Sequence, residues 1–108
     1  MPTYSNTSYA VKNVSTSGSV AISSIASGTV AVSSLILANT GTSPITVSAY
    51  ITRSSVKYYL VYQATVPVGG SLEAIQGNRV VMIASDSLTV VSSTATSCDA
   101  FISALTAT

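Results

Sequence analysis

The sequence predicts an all-β fold: a single antiparallel β-sandwich, Ig-like or jelly-roll-like, with an N-terminal arm or edge strand. A small barrel is the rival architecture. Runs of β-branched and aromatic residues recur about every ten positions, each bounded by Gly, Pro, Asn, Asp or Ser. The clearest run, Ile45–Arg53, places Ile45, Val47, Ala49 and Ile51 on one side and Thr46, Ser48, Tyr50 and Thr52 on the other. That period of two marks a half-buried strand, and no segment carries the 3.6-residue period of a helix. With 108 residues there is room for one core and no second lobe.

The elements follow in order. Residues 1–16 form the N-terminal arm or edge strand, and residues 17–108 the sandwich. Residues 1–34 hold 7 Val, Ile and Leu side chains against 21 in residues 35–108. Burial of an aliphatic side chain stabilises by about 1.5–3 kcal/mol, while ordering one residue of backbone costs about 1–2 kcal/mol. The arm is therefore expected to be ordered by contact with another chain; within it Tyr9 and Val11 share a face. An internal echo follows, Ser17–Ser24 and Ser27–Ser34, which predicts two strands joined around Ala26-Ser27-Gly28, the second running on into Leu35–Ala38. Asn39 to Pro44 is a turn. Between Ile45–Arg53 and Val56–Thr65 only Ser54 and Ser55 intervene, the spacing of a tight hairpin, although neither serine favours positive φ and a longer loop would also serve. Val56–Thr65 carries apolar residues on both faces and is expected to be covered on both sides. Val66 to Ser71 is a bend built on Pro67, Gly69 and Gly70. Short strands at 72–75 and 79–83 flank Gln76-Gly77-Asn78. Asp86 suits the capping of backbone amides in the next turn. Residues 88–92 form a strand, 93–97 a loop and 100–105 the closing strand, leaving 106–108 with nothing to hold them.

Composition excludes several functions. Seven side chains are charged, Lys12, Arg53, Lys57 and Arg79 against Glu73, Asp86 and Asp99, so no basic face exists for nucleic acid or an anionic membrane. No apolar run approaches the ~18 residues of a membrane helix, and the N-terminus lacks the pattern of a secretory signal. Ser and Thr supply 35 residues, so hydroxyls rather than charges keep the surface wet. A nearly neutral surface favours association. Cys98 is alone, which removes any intrachain disulfide; a buried small hydrophobe is expected there, with an intermolecular link or a reactive thiol as the alternatives. The two Asn-X-Ser matches, at Asn6 and Asn13, are chance in a Ser/Thr-rich chain.

No catalytic constellation is recognisable. Histidine is absent, no serine sits in a nucleophile elbow, and the three acids read as separate turn carboxylates rather than a glycosidase pair or a metal cage. No catalytic residue, metal or other cofactor is expected. The suggestive set is aromatic: Tyr4, Tyr9, Tyr50 and Tyr59, with Arg53 and Lys57 near the hairpin tip, form the candidate protein–protein interface. The same tyrosines could instead stack on sugar rings, as in a carbohydrate-binding module.

The order Leu-Ala-Asn-Thr-Gly, Thr-Val-Ser-Ala-Tyr-Ile-Thr, Tyr-Tyr-Leu-Val-Tyr, Val-Pro-Val-Gly-Gly-Ser-Leu, Arg-Val-Val-Met, Ser-Asp-Ser-Leu-Thr-Val and Phe-Ile-Ser-Ala-Leu resembles small β-sandwich virion proteins of tailed bacteriophages, cyanophages included. The similarity spans about residues 35–105 and has no single diagnostic residue. It implies a structural part of a virion assembled in the host cytoplasm, foremost a capsid decoration or cement protein bridging major capsid protein subunits, otherwise a neck, tail or fibre component. A homo-oligomer is implied too, a trimer by comparison with such systems.

Overall fold

The computed structural model describes residues 4–23, 25, 28–75 and 79–107. It contains β1 (Tyr4–Val11), β2 (Ser19–Ile22), β3 (Thr29–Asn39), β4 (Ile45–Arg53), β5 (Val56–Val66), β6 (Ser71–Glu73), β7 (Val80–Met82), β8 (Ser87–Ser92) and β9 (Cys98–Ala107). One sheet runs β1-β9-β3, with β6 and β7 both on the far side of β3; the other runs β2-β8-β4-β5. Every pairing is antiparallel. The pairs are nested: β4 with β5, β3 with β6 and β7, β2 with β8, and β1 with β9. A long hairpin rolled over itself into two facing sheets is a jelly roll, one of the two sandwich types the sequence predicts.

The core lies between the sheets. Val30, Val32, Leu35 and Leu37 of β3 meet Val47, Ala49 and Ile51 of β4 and Leu88 and Val90 of β8. In β3 the inward set jumps from even to odd positions, and a register shift between Val32 and Ser34 absorbs the extra residue. Without that bulge Leu35 and Leu37 would point to solvent. At the end of β3, buried Asn39 fixes the turn: its Nδ2 donates to the carbonyls of Ser43 (2.9 Å) and Val66 (3.1 Å), and its Oδ1 accepts from the Gly41 amide (2.9 Å). A Cβ at Gly41 would come within 2.6 Å of the Ser97 hydroxyl, so only glycine fits there.

The tight hairpin is present. Ser54 and Ser55 both take positive φ, 53° and 64°, the handedness that matches strand twist despite the serine side chains.

Several expectations are corrected. β5 is an edge strand, exposed over most of its length, and is not covered on both sides. Two register shifts against β4 break its alternation, and at one of them Gln63 sits at φ 50° with its amide donating to the Ser48 hydroxyl (2.9 Å). Such bulges blunt an open edge. The two echo strands do not pair, because β2 belongs to one sheet and β3 to the other; Ala26 and Ser27, where their joint was expected, lie outside the described residues. β6 and β7 pair with β3 and not with each other, and Gln76-Gly77-Asn78 lies outside the described residues. Thr106 and Ala107, expected to be loose, are held between β1 and β3, while Thr108 lies outside the described residues. Residues 4–16 are held by their own chain, not by a neighbour, and residues 1–3 lie outside the described residues. β1 pairs with β9 along its whole length, Tyr9 and Val11 pack on the core, and Val14 is fully buried in it. Val14 is further anchored by its amide, which donates to the Cys98 carbonyl at 2.7 Å.

Candidate functional site

The charged side chains are mostly spent inside the molecule. Asp86 is buried in the turn before β8. Its carboxylate accepts two bonds from Arg53 Nε (2.9 and 3.2 Å), one from Arg53 Nη2 (2.6 Å) and one from the Ile83 amide (3.0 Å). The Arg53 hydrogen bonds hold the Asp86 carboxyl below the usual range against the opposing effect of burial. Asp99 accepts from the Asn13 amide (3.0 Å) and Lys12 Nζ (2.9 Å), which lower its pKa in that order. Glu73 accepts from the Ser34 hydroxyl and the amides of Leu35 and Ile75. The three acids thus hold three separate stretches of backbone.

Tyr50, Tyr59 and Tyr62 gather on the outer face of the β2-β8-β4-β5 sheet. Val20, Thr89, Tyr50 and Tyr59 are consecutive register partners across it, so their side chains form one row. The Tyr50 and Tyr59 rings lie 5.3 Å apart and tilted; Tyr59 and Tyr62 lie 4.8 Å apart, edge to face, a favourable arrangement of ring quadrupoles. Lys57 Nζ stands 4.8 Å from the Tyr50 ring centre. Tyr50 is therefore roofed by Lys57 and Tyr59 and only 9% exposed, while Tyr62 is 63% and Tyr59 46% exposed. A partner or sugar ring meets Tyr59 and Tyr62 first.

Of the residues singled out from sequence, the structure brings Tyr50, Lys57 and Tyr59 together. Arg53 is committed to Asp86 and only half exposed. Tyr9 lies on the other sheet against the core. Tyr4 pairs with Ala107 through its backbone, and its side chain lies outside the described residues.

A second surface, not singled out from the sequence, is the outer face of the β1-β9-β3 sheet. Strand β9 buries Cys98, Ala100, Ile102 and Ala104 and turns Phe101 and Leu105 outward, where Phe101 is 50% exposed. Ile36, a register partner of Phe101, and Val81 are exposed beside them. Alternation reveals that Phe101 and Ile102 point opposite ways, and volume then suggests that Phe101 is the inner one. The structure does the reverse.

Cys98, at the start of β9, is buried, and burial followed by the Asp99 charge pushes its thiol up to about 11. Reaction of the native protein with a disulfide reagent at pH 8 is expected to run ~100-fold or more slower than in denaturant, since the thiolate is the nucleophile. A native rate equal to the denatured one would show the site to be open.

No family model matches the chain, and no curated protein matches it. Among solved structures, a chain from Bacillus endospore appendages, described as a novel family of disulfide-linked pili, superposes with a TM-score of 0.57 over 98% of this chain and 88% of that one, at 16% identity. At that identity the likeness is one of fold.

Proposed function

We propose that this chain is a structural subunit of a repeating protein assembly, and more finely a decoration or cement protein that bridges major capsid protein subunits of a tailed phage. The observation that carries the coarse reading is how the polar chemistry is spent. Asp86, Asp99 and Glu73 are bound into the fold, and what remains outside is hydroxyls, exposed aromatic and aliphatic side chains, and open strand edges. Adhesion is the chemistry such a surface supports. The unpaired side of β5 offers backbone groups to a neighbouring strand away from its bulges, beside Tyr59 and Tyr62 as anchors. Weak contacts of this kind add up when many copies sit on one shell. The finer assignment draws on the resemblance of residues 35–105 to phage virion sandwiches.

A subunit of a surface appendage is the second reading, favoured by the fold shared with the endospore pilus chain. In that case the buried Cys98 is a poor candidate for a link between subunits. Copy number tests the assignment. Quantitative mass spectrometry of purified particles is expected to find this chain in hundreds of copies per shell. A handful of copies at one vertex would point to a neck or tail part, and absence from particles would end the virion reading.

A further inference from the structure

We propose that the outer face of the β1-β9-β3 sheet is a two-fold interface between two copies of this chain. Along β9 the outward positions alternate ridge and trough. Leu105 and Phe101 stand proud, the latter in a row with Ile36 and Ala10. Between them lies a depression of about 350 Å³ bounded by Asn6, Ser8, Ser33, Ser103 and Leu105. Beyond Phe101 lies a second, of about 250 Å³, bounded by Ala10, Ile36, Ala38, Asp99 and Phe101. The sequence of relief is ridge, trough, ridge, trough.

Such a series is its own complement when reversed. A two-fold axis running across the strands near Ile102 reverses strand direction and keeps β9 over β9. It lays each Phe101 into the other copy's serine-lined trough and each Leu105 toward the other's depression beside Ala38. An isologous interface requires this self-complementarity, and a different partner would not.

Area and charge are compatible with such a pair. Strands β1, β9 and β3, of 8, 10 and 11 residues, with the three-residue β6 and β7 beside them, give a face of roughly 570 Å² in projection at about 4.8 Å between strands, the low end for a specific interface and suited to a concentration-dependent pair. Asp99 and Lys12 at its end are paired with each other, which neutralises that corner of the face. The outward Phe101 and Leu105, larger than the alanines buried beside them, gain their burial in the pair. This interface is separate from the β5 edge and stands or falls independently of the particle to which the chain belongs.

Sedimentation velocity of the full chain from roughly 1 to 500 µM is the test. A monomer–dimer equilibrium is expected. Phe101→Asp should weaken it roughly 30-fold or more by removing the central anchor. Ser103→Arg should do the same by filling the trough while leaving every apolar residue in place. Tyr62→Asp, on the opposite sheet, should leave it unchanged. Circular dichroism confirms folding, and Ile36→Lys substitutes for either interface variant that fails to fold. A monomer throughout, a trimer, a dimer indifferent to the interface substitutions, or one equally lost with Tyr62→Asp would each overturn the proposal.

Discussion

Replacing Asp86 with alanine is expected to lower the unfolding free energy by about 3 kcal/mol, enough to reduce Tm by roughly 12–24 °C in a domain of this size. The carboxylate is buried, and it joins the end of β4, through Arg53, to the Ile83 amide in the turn before β8. Its removal leaves that amide without its acceptor and frees Arg53, whose half-exposed guanidinium can turn to water. The loss therefore falls at the lower end of what breaking a buried pair costs. The same site governs acid stability. Because the folded pKa of Asp86 lies below the unfolded one, its contribution is complete above the ordinary carboxylate value near 4 and fades as pH falls through the folded value. Asp99 shifts in the same direction and adds to the slope. Urea titrations from pH 7 to 2 should show stability level down to about pH 5 and declining below pH 4. In Asp86→Asn the decline should be visibly shallower; an unchanged slope would mean that Asp86 is not the responsible group.

The second large effect contrasts two neighbours on β9. Ile102→Ala is expected to cost about 2–5 kcal/mol, because Ile102 is fully buried in the middle strand of its sheet, opposite both Tyr9 and Leu35. Phe101→Ala removes more atoms, yet in dilute monomer it should cost no more than about 1 kcal/mol, since that ring faces water. Thermal melts at low micromolar concentration give both values. If the two costs were equal or inverted, β9 would be out of register by one residue, with every side chain on the wrong face.

This pair also shows where the sequence stops being readable. In Ile45–Arg53 the core face is legible, since Ile45, Val47, Ala49 and Ile51 lie in the core, whereas the burial of Ser48 and Tyr50 on the other face is not. The phase jump from Val32 to Leu35 is equally visible as a bulge once β3 is taken as one strand. β5 misleads because its two bulges scatter Tyr58, Tyr59, Leu60 and Tyr62 across both faces, which imitates a buried strand. β9 misleads because alternation assigns residues to two faces without saying which is inner, and the larger set lies outside. Pairing across distance is invisible as well. Arg53 and Asp86 are 33 positions apart, and nothing local to either distinguishes a partnered arginine from one offered to a neighbour. The tyrosine cluster was half legible: Tyr50 and Tyr59 are cross-strand partners of a hairpin whose turn could be recognised, whereas Arg53 and Tyr9 diverge for tertiary reasons.

The nested strand order has a consequence for biosynthesis. Among the described residues β1 pairs in its sheet with β9 alone, so a chain emerging from the ribosome must carry Tyr4–Val11 as an unzipped ribbon until Cys98–Ala107 has been translated. The β4-β5 hairpin can close early and the roll can tighten outward from it, with β1 sealed last. During that interval the waiting strand presents a free ladder edge to any nearby nascent copy, which makes swapped dimers the characteristic hazard of this topology.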